Sequence, residues 1–146
     1  MAGLGRIRKE MEDIRNDRHS GVSISTDPSN PLHMIGTITG PPDTPYAGGK
    51  FQVDIIIPNE YPFSPPKMKF ITKVWHPNVS SVTGAICLDI LKDQWSPALT
   101  TKTALISLQA LLCAAEPDDP QDAVVANMYK TNRAQFDSTA REWTIQ

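Results

Sequence analysis

The apolar residues of this chain change their spacing three times along its length, and that succession restricts the fold more than any single motif. Leu4, Ile7, Met11 and Ile14 fall at i, i+3, i+7 and i+10, the stripe of an amphipathic helix over roughly residues 3–18. After Gly21 the spacing shortens. Val22-Ser23-Ile24-Ser25 and Met34-Ile35-Gly36-Thr37-Ile38 alternate, and Phe51, Val53, Ile55 and Ile57 alternate with Gln52, Asp54 and Ile56. Met68 and Phe70 continue the theme. The pattern predicts four antiparallel strands with one covered face. From Val74 to Thr100 no spacing is sustained, and irregular stretches of that length in a compact domain are usually functional. Helical spacing returns at Thr101 with Leu105, Leu108, Leu111 and Leu112. Glu116-Pro117-Asp118-Asp119-Pro120 ends that helix, and Asp119 or Pro120 is expected to open a second, running through Met128. Asn132 is a plausible N-cap for a third, reaching about Trp143. Helix, four strands, long loop and three helices make an α+β domain, with residues 1–146 read as one unit.

Composition narrows the class. Hydrophobic residues make up 40% and charged residues 21%, the balance of an ordinary globule. Most of the 13 prolines lie between Pro28 and Pro77. Aromatic and aliphatic residues are interleaved with them, so they indicate turns rather than disorder. A net charge of −2 argues against a nucleic-acid binder that relies on a basic field. No apolar run is long enough to span a bilayer, and the first residues lack the apolar core of a signal peptide. A cytoplasmic or nuclear location is expected. The two cysteines, Cys87 and Cys113, form no CxxC pair and have no histidine at zinc-ligand spacing. No metal site is expected, and both are expected as free thiols.

Chemistry concentrates in the unpatterned stretch. Cys87 stands beside Gly84 and Asp89, nine residues after Asn78 of His76-Pro77-Asn78. Two readings of Cys87 are open: a small buried apolar residue, or a nucleophile set in a functional loop. Cys113, within Leu111-Leu112-Cys113-Ala114-Ala115, reads as core. His76 suits a loop histidine bonded to nearby backbone better than a base, because catalytic partners usually converge from distant segments. Asn78 is either a side-chain amide donor or a turn former. Tyr61-Pro62-Phe63-Ser64-Pro65-Pro66 is a rigid loop and a candidate for a cis X-Pro bond. An exposed Phe63 would suit docking; on the residues alone, a buried Phe63 anchoring the turn fits better. Trp95-Ser96-Pro97-Ala98 reads as a turn into the helix at Thr101.

Taken together, Tyr61-Pro62-Phe63 with Pro65-Pro66, His76-Pro77-Asn78, Cys87-Leu88-Asp89-Ile90-Leu91, Trp95-Ser96-Pro97-Ala98 and Asp118-Asp119-Pro120 resemble the ubiquitin-conjugating enzymes in order and spacing. The similarity runs over essentially the whole chain. It extends to the chain-building subclass that normally carries a C-terminal ubiquitin-associated domain, through Ser80-Ser81-Val82-Thr83-Gly84-Ala85-Ile86-Cys87 and the run from Ala114 to Asn127. That extra domain is not expected within residues 1–146. The resemblance implies the fold of this family, with Cys87 accepting ubiquitin from the activating enzyme as a thioester and passing it to a lysine, usually with a ligase. It implies that Asn78 donates to the oxyanion or holds the loop shaping the site, the former worth about 2.7–4 kcal/mol. It implies that Asp119, with Asp89 as a second candidate, orients the lysine and helps it lose its proton, since only about one lysine amine in a thousand is neutral near pH 7.4. His76 and Pro77 become structural neighbours of the site. Arg6, Lys9, Phe63, Ser96, Pro97 and Ala98 resemble the surface that docks the activating enzyme and RING- or HECT-type ligases. Ubiquitin and protein substrates are the remaining partners, and a monomer is expected. No cofactor is expected, because ATP is used by the activating enzyme upstream. Two competitors are a silent ubiquitin-binding variant, which would lack Cys87, and a cysteine hydrolase pairing Cys87 with His76 or His33.

Overall fold

The structure, a computed structural model, describes residues 3–146. Helix α1 spans Leu4–Asn16 and buries Ile7, Glu10 and Ile14, one face at helical spacing. It stops two residues before the expected end. There the Asp17 carboxylate accepts from the backbone N–H groups of His19 and Ser20 and turns the chain.

Strands β1 (Val22–Asp27), β2 (Asn30–Thr39), β3 (Lys50–Ile56) and β4 (Lys67–Phe70) form one antiparallel meander in chain order. The alternation decides which face is covered. Met34 and Ile38 of β2, Phe51, Val53 and Ile55 of β3 and Phe70 of β4 are all buried. Burying each such side chain contributes roughly 1.5–3 kcal/mol. Helix α2 (Thr101–Cys113) lies on this face with Ala104, Leu105, Leu108, Leu111 and Leu112 inward. Gly36 makes the close approach possible. A Cβ there would stand 2.9 Å from a Leu105 methyl and 3.0 Å from one of Ile55.

Helices α3 (Ala123–Thr131) and α4 (Arg133–Thr144) follow, capped by the side chains of Asp122 and Asn132. The cap on α4 is as expected. The start of α3 is not, because it begins after Asp122 rather than at Asp119 or Pro120. The N–H groups of Gln121 and Asp122 both donate to Pro77 O, at 2.9 and 3.1 Å. Asp122 is the carboxylate then placed to cap, accepting from Val125 N. Cys113 is also corrected: it is exposed. Leu111 and Leu112 end the inward stripe of α2, and the next residue rotates off that face by one helical step.

The stretch from Val74 to Thr100 contains one 3-10 turn, Asp89–Leu91, and isolated bridges. It packs through Val74 and Val79, both buried, and through the partly buried Trp75, Ile86, Leu88, Leu91 and Trp95. It is therefore an ordered surface element whose shape is set by tertiary contacts.

Candidate active site

The nine-residue spacing between Asn78 and Cys87 closes on itself. Cys87 N donates to Asn78 O at 2.9 Å and Ser80 N to Ala85 O at 2.8 Å, with Val79 bridged to Ile86. Gly84 permits the return. Its φ is +81°, and a Cβ would lie 2.1 Å from Phe70 O, so only glycine fits there. Phe70 N donates to Gly84 O at 2.9 Å, tying the returning arm to β4.

His76-Pro77-Asn78 then fastens this arm to the far end of α2. His76 is 1% exposed. Its Nε2 donates to Leu111 O at 2.8 Å, and its Nδ1 accepts from Asn78 N at 3.0 Å. Those partners require the neutral ring, and burial lowers its pKa to about 4 despite the bond to Leu111 O. Pro77 O takes the two N–H donors from the α3 approach. Asn78, also 1% exposed, gives both amide hydrogens away. Its Nδ2 donates to Glu116 O at 3.0 Å and Asp119 O at 2.8 Å. Its Oδ1 accepts from Glu116 N at 2.8 Å. Every polar atom of that side chain holds the 116–119 segment. Ser81 adds a second tie, donating from N and Oγ to Asp122 at 2.9 and 2.6 Å. Burial pushes the Asp122 carboxyl up, but the bonds from Ser81 and from the backbone N–H groups of Val125 and Val124 together leave the group below its ordinary value.

The result is a cleft of about 350 Å³ lined by Cys87, Leu88, Asp89, Ser107 and Asp119 among others. Cys87 is half-buried. Its Sγ lies 3.7 Å from Asp119 Oδ2 and 3.4 Å from Lys92 Nζ. Asp118, next in sequence, points elsewhere and pairs with Lys130 at 2.6 Å. Asp89 is exposed on the 3-10 turn and lines the cleft. No histidine is among the lining residues. His33 is engaged on the sheet, with Asp27 at 2.9 Å and Asp54 at 2.6 Å. Those carboxylates raise its pKa, Asp27 first. Among the described residues, no group of three or more His, Cys, Asp or Glu side chains could hold a metal ion.

The docking candidates come together on another side. Trp95 Nε1 donates to Pro62 O at 2.8 Å, joining the proline loop to the Ser96-Pro97-Ala98 turn. The Tyr61–Pro62 bond is cis. Phe63 is 80% exposed, which overturns the buried anchor expected from the residues alone. Tyr61 fills the anchoring place instead, 2% exposed. Burial raises its hydroxyl to about 12, and it donates to Glu10. Arg6 turns inward, bonding Glu10 at 2.8 Å and Leu99 O at 2.7 Å. Lys9 is exposed.

The sequence reading missed Lys92 and the 116–119 backbone. Lys92 follows Cys87 by five residues across one tight turn, a spacing that brings the two back together. Nothing in the sequence announces that Glu116 and Asp119 are held by their peptide groups.

A helix leading into a four-stranded meander, with a free cysteine in an ordered loop over the first long C-terminal helix, defines an α+β domain built around one thiol. The ubiquitin-conjugating enzyme family matches residues 6–144. The chain is 61% identical over 145 residues to ubiquitin-conjugating enzyme E2 27 of Arabidopsis thaliana, covering 99% of this chain and 76% of that protein. It is 60% identical over 141 residues to ubiquitin-conjugating enzyme E2 K of Homo sapiens, covering 94% and 70%. The solved E2 domain of a Toxoplasma gondii ubiquitin-conjugating enzyme superposes with a TM-score of 0.92 at 54% identity, over 97% of this chain and 95% of that one. The chain belongs to the ubiquitin-conjugating enzyme family. It is an enzyme of the ubiquitination pathway that transfers ubiquitin through a cysteine thioester, with ubiquitin, an activating enzyme and ligases as its general partners.

Proposed function

We propose that Cys87 is the thiol that carries ubiquitin, and that the site around it favours transfer to an amine over hydrolysis. The observation that carries this reading is the pairing of Cys87 Sγ with Asp119 Oδ2 at 3.7 Å in an open cleft lined by no histidine. In charging, the Cys87 thiolate attacks the carbonyl carbon of ubiquitin's terminal glycine and displaces the activating enzyme's sulfur. In discharge, a lysine nitrogen attacks that carbon, the C–S bond breaks, and Cys87 leaves as thiolate. The amine must shed a proton, and making it neutral near pH 7.4 costs about 4 kcal/mol. Asp119 accepts that proton or orients the nitrogen, and Asp89, which also lines the cleft, is the second candidate for that task. Asn78 is a positioning residue, because its amide is wholly engaged in placing the Asp119 segment. A histidine poised beside the thioester would also activate water; His76, buried and neutral, does not serve there.

Phe63, Ser96, Pro97, Ala98 and Lys9 receive the activating enzyme and RING- or HECT-type ligases in turn, with Arg6 shaping that face through Leu99. The exposure of Phe63 and its attachment to the Trp95 turn support this. Residues 1–146 act as one catalytic domain and as a monomer in the cytosol or nucleus, with no bound cofactor. Incubation with activating enzyme, ATP and ubiquitin tests the reading. A reductant-sensitive adduct of one ubiquitin mass, absent in Cys87→Ala, is expected. An adduct that persists in Cys87→Ala puts the nucleophile elsewhere.

A further inference from the structure

No partner of its own side chain holds Asp119 over Cys87. Among the described residues, its carboxylate has no ion pair, and its one hydrogen-bonding contact is Cys87 Sγ at 3.7 Å. The peptide groups on either side must therefore aim it. Upstream, Asp119 N donates to Glu116 O at 3.1 Å, and Asp119 O accepts from Asn78 Nδ2 at 2.8 Å. Downstream, Pro120 has no N–H to give. The next anchors are Gln121 N and Asp122 N, which share Pro77 O, and the Asp122 side chain. That half-buried carboxylate links the Cys87 loop to α3. Its Oδ2 accepts from Ser81 N and Oγ at 2.9 and 2.6 Å, and its Oδ1 accepts from Val125 N at 3.2 Å.

Two adjacent serines divide the work on the loop side. Ser80 Oγ accepts from Val82 N at 3.2 Å and Thr83 N at 3.1 Å, and so closes the turn that precedes Gly84. Ser81 faces out of that turn, towards Asp122. Cys87 does not depend on this contact, because its own N–H is fixed to Asn78 O at 2.9 Å and Val79 is bridged to Ile86.

We propose that Ser81, acting through Asp122, is a positioning residue for transfer of ubiquitin to lysine. It pins the downstream end of the run that carries Asp119, as Asn78 pins the upstream end. The inference rests on Cys87 being the ubiquitin-carrying thiol and on Asp119 serving the incoming amine. A run held at one end only can swing about it, and the ring of Pro120 fixes its own φ but not the ψ of Asp119. A shift of about 1 Å in a group that serves the reacting atoms costs on the order of 10² in rate. Losing the Ser81 hydroxyl leaves Ser81 N and both bonds to Pro77 O in place, so the loss is partial. Because the contact aims the carboxylate and not the sulfur, it matters only for nucleophiles that need the carboxylate. Lysine arrives protonated and needs it. Hydroxylamine is already neutral at neutral pH and does not.

The test charges the full chain with ubiquitin, removes ATP, and follows discharge to free lysine and to hydroxylamine by the mass of the ubiquitin product, each normalised to the thioester present. In Ser81→Ala, discharge to lysine is expected to fall about tenfold, while discharge to hydroxylamine stays within about twofold of the native rate. Asp122→Asn, which keeps one oxygen able to cap α3 and loses the other, is expected to show the same selective loss. Adding Ser81→Ala to Asp119→Asn is expected to cost less than about twofold more, because the two act through one carboxylate. Equal loss with both nucleophiles makes Ser81 a support of the thiol and overturns the inference. So does an unchanged lysine rate in both Ser81→Ala and Asp122→Asn, or a full tenfold further loss in the double variant. Native discharge to lysine in Asp119→Asn overturns the role of Asp119, and failure to form any reductant-sensitive adduct overturns the Cys87 reading beneath both.

Discussion

Behind the inner wall of the Cys87 cleft, His76 and Asn78 are 1% exposed and each polar side-chain atom has a partner at 2.8–3.0 Å. On the outer wall, Cys87, Asp89, Lys92 and Asp119 are open to solvent to various degrees, and the contacts at sulfur are 3.4 and 3.7 Å. The inner wall holds backbone, and the outer wall leaves reacting groups room. A buried amide with all its bonds satisfied is a rigid part, because losing any one partner leaves a desolvated polar group. On the proposed reading Cys87 receives a whole protein and then releases it, which needs slack around the sulfur. Histidine and asparagine serve here as masonry, and the carboxylates, outside, are free to act.

Removing the reacting atom breaks this division most completely. Cys87→Ala should abolish the reductant-sensitive adduct, while Cys87→Ser should trap a reductant-resistant ester. Asn78→Ala tests the inner wall. It frees Glu116 and Asp119 together, so discharge to free lysine should fall by about 10²–10³, while charging of Cys87 persists. The variant should also lose about 1–3 kcal/mol of stability from the unpaired backbone groups, read by denaturant midpoint. Discharge at the native rate would mean that the position of Asp119 does not matter. Asp119→Asn removes the carboxylate and leaves its backbone anchored. Discharge should drop by about 10², with stability nearly unchanged, because the side chain is exposed.

The two histidines, His76 behind the cleft and His33 on the sheet, should also differ in their response to acid. His76 has its pKa lowered to about 4 by burial, against about 6.5 in the unfolded chain. Below pH 6.5 the unfolded chain gains a proton that the native ring refuses. The contribution is therefore complete above about pH 6.5 and is lost as pH falls towards 4. Between pH 7 and pH 5 that amounts to about 2 kcal/mol, measurable as a shift of the denaturation midpoint. It should disappear in a His76→Gln variant and persist in His33→Gln. His33 has the opposite sign: with its pKa raised by Asp27 and Asp54, it stabilises fully below about pH 6.5 and loses that effect as pH rises through its native value. The smallest change expected is at the docking face. Phe63→Ala should leave stability within about 0.5 kcal/mol and weaken activating-enzyme or ligase binding by about tenfold. Unaltered binding would remove Phe63 from that surface.

Much of this was legible in the residues. The spacing of Leu4, Ile7, Met11 and Ile14 placed α1 to within two residues, and the alternation through Phe51, Val53 and Ile55 named the covered face of the sheet. The cap at Asn132 was readable because capping is local. The fate of Phe63 was not, because a proline-rich turn exposes or buries an aromatic according to what packs beneath it. Here Tyr61 takes the buried place beside Glu10. The start of α3 was misplaced for a similar reason: Pro77 O, more than forty residues away, claims the two N–H groups that precede the helix.

Period, capping and turn chemistry act over a few residues, so the chain alone determined its elements, their order, and which thiol stands in a loop. Burial and hydrogen bonding across the fold decided the rest. They made His76 a structural ring rather than a catalyst, engaged the whole Asn78 amide in a loop, and swung Lys92 back over the sulfur. Such assignments depend on which distant carbonyls and N–H groups remain to be satisfied once the core has closed, and no local pattern carries that information.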